Sequence, residues 1–180
     1  MSHDHFHHLI YGSLNDYLTG EELTDTDDER VRQDISKFMV EQKGYKKKEL
    51  IPRLYIETLF SQSFVRSTID LTVVVTTRQF MVIRYGPGSL VTRERSAIAA
   101  ARVLNLEYQI PLALVTNGRD AELIDTLTGK ILGNGLESIP SRREAEQLIS
   151  TLKFPTRQQD QELEREKRIL NAFDVERCCL

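Results

Sequence analysis

The residues best suited to chemistry in this chain are one acid on an apolar run and a group of cations a little further on. Asp70 sits inside Ile69-Asp70-Leu71-Thr72-Val73-Val74-Val75. A divalent cation such as Mg2+ takes oxygen ligands, commonly one or two carboxylates plus water, so Asp70 is the first candidate metal ligand. Downstream come Arg84, the turn Gly86-Pro87-Gly88-Ser89 and then Thr92-Arg93-Glu94-Arg95. Cations beside a Gly-rich turn and a helix N-terminus favour anions, because free amides and the positive end of the helix dipole converge there. A phosphate could be gripped by Arg84 in a bidentate manner, with Ser89, Thr92, Arg93 and Arg95 around it. The alternative is a tight strand-to-helix connection whose arginines pair with Glu94, Glu107 or Asp70. The Gly-x-Gly lacks the third glycine of a dinucleotide fingerprint.

These two chemistries compete. At about 4 Å and an effective dielectric near 20, each unit of like charge costs roughly 4 kcal/mol, and a divalent ion beside Arg84 carries two. Further carboxylates could come from Glu94, early in the second helix, and from Glu29 on the first. Glu94 also suits a first-turn acid complementing the helix dipole. Glu29 also completes a capping box, Thr26-Asp27-Asp28-Glu29. Asn117, in Thr116-Asn117-Gly118-Arg119, belongs to a strong turn pair and could line the same cleft.

Other chemistry-bearing residues are less organised. Lys43, Lys46, Lys47 and Lys48 form the one dense basic run, able to touch phosphate without sequence preference or simply to be solvated. His3, His5, His7 and His8 could bind a transition metal or belong to a disordered end. Cys178 and Cys179 are adjacent, which excludes a disulfide framework and a four-ligand zinc site, and Cys-Cys-Leu fails the Cys-a-a-X prenylation pattern. A net charge of −3 argues against a wholly basic nucleic-acid-binding surface but leaves room for a local groove. With 40% apolar and 28% charged residues, the 180-residue composition is that of an ordinary globular protein. The longest apolar runs, such as 110–115, are too short to span a bilayer, and no secretory signal precedes the first helix, so a cytoplasmic protein without a membrane partner is expected.

The elements that must position these groups follow from periodicity. A polar segment 1–25 contains a small hairpin around Tyr17–Leu23. The first helix starts at the capping box, places Val31, Ile35, Phe38 and Met39 on one face, and ends at Gly44. Strands are expected at 53–60, 68–76 and 79–85, and a helix over 93–106 capped by Thr92, its alanines allowing close approach to a sheet. A buried strand at 110–116, a hairpin around Thr128-Gly129 and a helix from Ser141 to Leu152 complete a domain over 26–153. A charged C-terminal helix over 157–175, within a segment 156–180, carries a thin stripe of Leu163, Leu170 and Phe173 and an i,i+4 pair of Glu164 and Arg168. That stripe could dock on a second subunit as a homo-oligomer contact, or be a solvated appendage.

In order and spacing, the segment Glu29 to Asp125 resembles the N-terminal domain of type I restriction enzyme R subunits and the small stand-alone proteins related to it, within the PD-(D/E)xK superfamily. The matching words are Glu29-Arg30-Val31-Arg32-Gln33, Lys43-Gly44-Tyr45, Ile69-Asp70-Leu71, Ala101-Arg102-Val103-Leu104 and Val115-Thr116-Asn117-Gly118. The resemblance implies an α/β (α+β) fold, a restriction-endonuclease-like central mixed sheet flanked by helices, with the active site where two strands diverge. In working relatives a strand aspartate and the Glu of Glu-x-Lys hold a divalent ion, and the lysine acts on the attacking water. Only Asp70 carries over to that trio: the glutamate position falls on Arg84 and the lysine position on Gly86. The Gln-x-x-x-Tyr word of many relatives falls on Ser96 and Ala100 and is absent.

Three readings therefore stand. The first is a catalytically degenerate domain that binds nucleic acid or a phosphate-bearing ligand through 84–95, with no cofactor. The second is an active nuclease with Mg2+ on Asp70, Glu94 and Glu29. The third is a protein-interaction module without ligand.

Overall fold

A computed structural model describes residues 10–60 and 63–178. The chain opens with strands β1 (Ile10–Asn15) and β2 (Glu22–Thr26), an antiparallel hairpin whose turn is held by Asp16, its Oδ1 accepting from the amides of Leu18 and Thr19. Helix α1 (Asp27–Glu41) starts where the Thr26 hydroxyl accepts from the amide of Glu29 at 3.1 Å. The second half of the expected capping box does not form, because the Glu29 side chain turns to Arg32 and Gln33 instead. The helix ends as expected: Gly44 takes φ 77, and the amides of Gln42 and Lys43 both donate to the Phe38 carbonyl.

Strands β3 (Leu50–Phe60), β4 (Ser63–Val75) and β5 (Arg78–Tyr85) form an antiparallel meander, with β3 and β4 longer than the apolar pattern alone suggested. The extra length is residues 50–52 at the start of β3 and 63–67 of β4, where Arg66 and Ser67 mask the strand period. Helix α2 (Val91–Leu104) crosses from β5 to β6 (Leu112–Thr116), which runs parallel to β5. It begins before Thr92, whose hydroxyl donates to the Ser89 carbonyl rather than capping the helix. Strands β7 (Ala121–Asp125) and β8 (Ile131–Asn134) close the sheet as an antiparallel hairpin around Thr128-Gly129. Helix α3 (Arg142–Leu148) is shorter than expected and continues only as turns. Helix α4 (Asp160–Cys178) starts late because the preceding segment is strapped to the body, Gln109 N–H donating to Pro155 O and Arg157 N–H to Glu107 O.

The six-stranded mixed sheet has the order β3-β4-β5-β6-β7-β8 and the two-stranded sheet stands apart. Its central strands are covered on both faces, which is why β6 is buried along its whole length. On one face Ile35 and Met39 of α1 meet Leu71, Val73, Met81, Ile83, Leu112 and Leu114. On the other, Ala97, Ala100 and Ala101 bring α2 down onto Val82, Ala113, Val115 and Ile124. Helix α4 packs on that second face, with Leu170 fully buried and Leu163 and Ile169 beside it. Leu163 and Leu170 of the stripe read as a docking surface thus pack within the chain, the side chain of Phe173 lying outside the described residues. The four histidines and the side chains of the terminal cysteines lie outside them too. Among the described residues, no helix is long and apolar enough to cross a membrane.

Candidate functional site

Strands β4 and β5 pair, past a register shift between Val73 and Val74, as far as Leu71 opposite Ile83, and there the pairing stops. Asp70 lies at this opening. Its Oδ2 accepts the Tyr85 amide at 2.8 Å, taking over a backbone bond that the sheet no longer supplies. Its Oδ1 accepts from Arg32 Nε at 2.6 Å, and the Nη1 of the same guanidinium donates to Glu29 Oε2 at 2.6 Å. One turn of helix sets this geometry: Glu29, Arg32 and Gln33 share a face at i, i+3 and i+4.

The other oxygens are engaged as well. Gln33 Nε2 donates to Glu29 Oε1 at 2.7 Å, while Gln33 Oε1 accepts the Tyr17 amide at 2.7 Å. Arg53 donates to Asp16 Oδ2 and stands 3.8 Å from Glu29 Oε1. Arg53 holds φ 55, a left-handed conformation that a non-glycine residue keeps only when its surroundings compel it. Burial works to lower Arg32's pKa, and the Asp70 and Glu29 carboxylates more than reverse that. Burial works to raise Asp16's pKa, and the Arg53 hydrogen bond with the amides of Thr19 and Leu18 holds it below the ordinary carboxylate value. The result is a buried lattice of three acids, Asp16, Glu29 and Asp70, around two guanidinium groups.

A magnesium ion does not fit this donor set. It would need carboxylate oxygens free to point at one centre, and each of the four oxygens of Asp70 and Glu29 already accepts a hydrogen bond. The centre between the two acids is filled by Arg32. Among the described residues, no group of three or more His, Cys, Asp or Glu is placed to hold a metal.

The other expected site residues lie elsewhere. Arg84, level with Val115 in the parallel ladder, is buried to 7% exposure and donates to Ser96 Oγ on α2. Glu94, in the first turn of α2, lies within electrostatic reach of Glu122 on β7. Burial raises Glu122's pKa and the charge of Glu94 adds to the rise, while its Oε2 is buried without a hydrogen bond. Asp70, Arg84 and Glu94 therefore do not converge: Asp70 bonds to α1, whereas Arg84 bonds to α2 and Glu94 is part of it.

The turn after Arg84 is more open. Gly86 N–H donates to Thr116 O at 3.0 Å, and a Cβ on Gly86 would lie 3.1 Å from Arg93 Cζ and Nε, so the Arg93 side chain lies across the place where a side chain at 86 would project. Asn117 ties the two loops together: its Nδ2 donates to Gly88 O at 3.0 Å and its Oδ1 accepts the amides of Arg119 and Asp120. A cavity of about 390 Å3 lies between them, lined by Ser89, Leu90, Val91, Asn117, Asp120 and Glu122. Arg95 is exposed and borders a larger cleft of about 520 Å3 between α2 and α4. The lysine run is partly committed, Lys43 donating to the Glu137 carbonyl and Lys47 to that of Tyr17.

Arg32, Gln33, Asp16 and Arg53 are the members that motif reading missed. The available signal was local: an arginine three residues after a helix glutamate reaches whatever that glutamate faces.

The fold and this opening define a mixed α+β domain with three buried acids, ion-paired to two arginines, at the point where two central strands part. The family model of the type I restriction enzyme R protein N terminus matches residues 27–140, and the chain belongs to that family. No curated protein matches the chain, and no solved structure does.

Proposed function

We propose that this protein is a non-cutting domain of restriction-endonuclease-like fold that binds nucleic acid, or another phosphate-bearing ligand, through the 86–95 turn and the start of α2. The observation that carries the reading is Arg32 lying between the Asp70 and Glu29 carboxylates, where a cutting relative would hold its metal ion. A guanidinium cannot take a water proton at neutral pH, nor can it present an activated hydroxide as a bound metal does. The Glu-x-Lys positions support the same conclusion, since Arg84 is committed to Ser96 and Gly86 has no side chain.

Binding is assigned to the turn because it combines Arg93 and Arg95 with the first amides of α2, whose start has no side-chain cap. Arg84, buried beneath the helix, positions that turn and does not itself meet the ligand. Fluorescence anisotropy of a labelled oligonucleotide, measured over a range of salt, tests this. Binding should weaken with salt, and Arg93→Ala/Arg95→Ala should reduce the log–log slope by about 2 if both contact phosphate. Salt-independent binding, or a double variant that binds as the parent does, contradicts the assignment.

A further inference from the structure

Strand β3 is one edge of the six-stranded sheet, and its two halves are guarded differently. The first half carries Pro52 and the left-handed Arg53, and the β1–β2 turn covers it through bonds from Arg53 to Asp16 and Glu21. From Leu54 onward the strand is the outer member of the hairpin arm with β4, and no described strand pairs with its outer side. One face of this arm is packed by α4, with Ile56, Thr58 and Ser67 buried and Thr58 bonded to Asn171. The opposite face is exposed, with no helix packed on it among the described residues. Tyr55, Leu59 and Phe64 are 52%, 65% and 81% exposed, and Leu59 and Phe64 are direct cross-strand partners. Folded proteins usually suppress an open edge flanked by apolar side chains, because it templates pairing with another chain.

We infer that this arm is an interface whose occupant is a second copy of the chain, β3 pairing with β3 antiparallel about a two-fold axis at Glu57. The register argues for a second copy. Antiparallel partners share a face of the sheet, so a two-fold pairing must centre on a residue. Centring on Glu57 sets Tyr55 opposite the partner's Leu59, twice over by symmetry, and Ile56 opposite the partner's Thr58. Centring on Ile56 sets Tyr55 against a carboxylate at 57, and centring on Thr58 does the same to Leu59. Centring on Tyr55 or on Leu59 sets each of those residues only against its own copy, and the Tyr55 centre runs the pairing into the half guarded at Arg53, whereas the Glu57 centre makes two apolar pairs on the exposed face. The two Glu57 carboxylates that then meet are each neutralised by Arg66, which donates to Glu57 at 2.8 Å and stacks over Tyr55 at 4.2 Å. Phe64 widens the stripe by one strand. Two rings and a leucine from each copy, with the strand edges between them, bring the contact to the order of 1,000 Å2 that a specific interface requires.

Sedimentation equilibrium of the full chain, with Cys178 and Cys179 replaced by serine, tests the proposal. It should show a concentration-dependent dimer, and Leu59→Lys should raise the dimer dissociation constant at least tenfold. Because Leu59 is exposed, that variant should keep the parent's thermal melt when both are compared as monomers. In the same cysteine-free background Glu57→Cys should form a dimer-linking disulfide on mild oxidation, since facing Cα atoms lie about 4.5–5.5 Å apart. Arg66→Cys, one strand inward, should not. A chain that stays monomeric at several hundred micromolar, or a dimer that Leu59→Lys leaves intact or that links through position 66 instead of 57, overturns the inference.

Discussion

Two groups of charge lie against the same central strands and are handled in opposite ways. Around Asp70, three buried acids are held by two half-buried arginines and the hydrogen bonds close on one another. Around α2's first turns, the charge of Glu94 acts on Glu122, a Glu122 carboxylate oxygen is buried without a hydrogen bond, Arg93 lies across Gly86, and Arg95 borders a cleft. The difference teaches where the chain can still respond to a ligand. A saturated lattice resists any incoming ion, because an entering cation must first break bonds to groups that water cannot reach. An under-satisfied region gains when something binds.

The largest test of that contrast is Asp70→Ala. It strips Arg32 of one partner and leaves the Tyr85 amide without an acceptor, and breaking a buried pair in this way costs about 3 kcal/mol. Chemical denaturation should read that loss, and a change under 1 kcal/mol would mean that the lattice is not a structural unit. Acid titration sharpens the same point. Asp16's folded pKa lies below its unfolded value, so its contribution is complete above an unfolded pKa of about 3.9 and fades as pH falls towards the folded one. The stability gap between the parent and Asp16→Asn should be widest near neutral pH and close as pH falls through the lowered folded pKa. A gap that persists in acid would contradict the ion-pair account.

On the open side the expected effects are smaller. Gly86→Ala presses a methyl against the flexible end of Arg93, so the fold should lose under about 1 kcal/mol while oligonucleotide affinity falls with the displaced guanidinium. A large stability loss with unchanged affinity would reverse that assignment. The smallest effect belongs to Glu122→Gln. The folded pKa of Glu122 is raised, so ionisation at neutral pH penalises the native state, and that penalty vanishes below the unfolded pKa of about 4.3. The variant should therefore melt slightly higher than the parent at pH 7 and equally at pH 4. A lower melt at pH 7 would show that the carboxylate is satisfied after all.

Much of the architecture was legible in the sequence because its signals are local. Thr26 and Gly44 bound α1, the alanines of α2 mark a helix lying close to a sheet, and the unbroken apolar run before Thr116 marks a strand covered on both sides. The hairpin arm was read short, since Arg66 and Ser67 interrupt the apolar pattern where α4 and solvent, rather than the main core, set the requirement. Helix α4 was legible as an element but its docking was not. Its seam with α2 depends on Arg102 reaching Glu166 and the Thr126 carbonyl, contacts between residues far apart in the chain. The site was legible only as a vacancy. Motif spacing located Asp70 and the missing Glu-x-Lys, and drew attention to Arg84 as the intruding cation. The cation beside Asp70 is instead Arg32, from a different element, which only the packing of α1 against the opening could reveal.

Titration calorimetry with Mn2+, alongside a DNA cleavage assay, addresses the central claim most directly. The parent chain should bind no Mn2+ at millimolar concentration and cut neither single- nor double-stranded DNA, while Arg32→Ala, with Asp70 and Glu29 released, should acquire Mn2+ binding. Stoichiometric Mn2+ binding by the parent, with cleavage that Asp70→Ala abolishes, would contradict it.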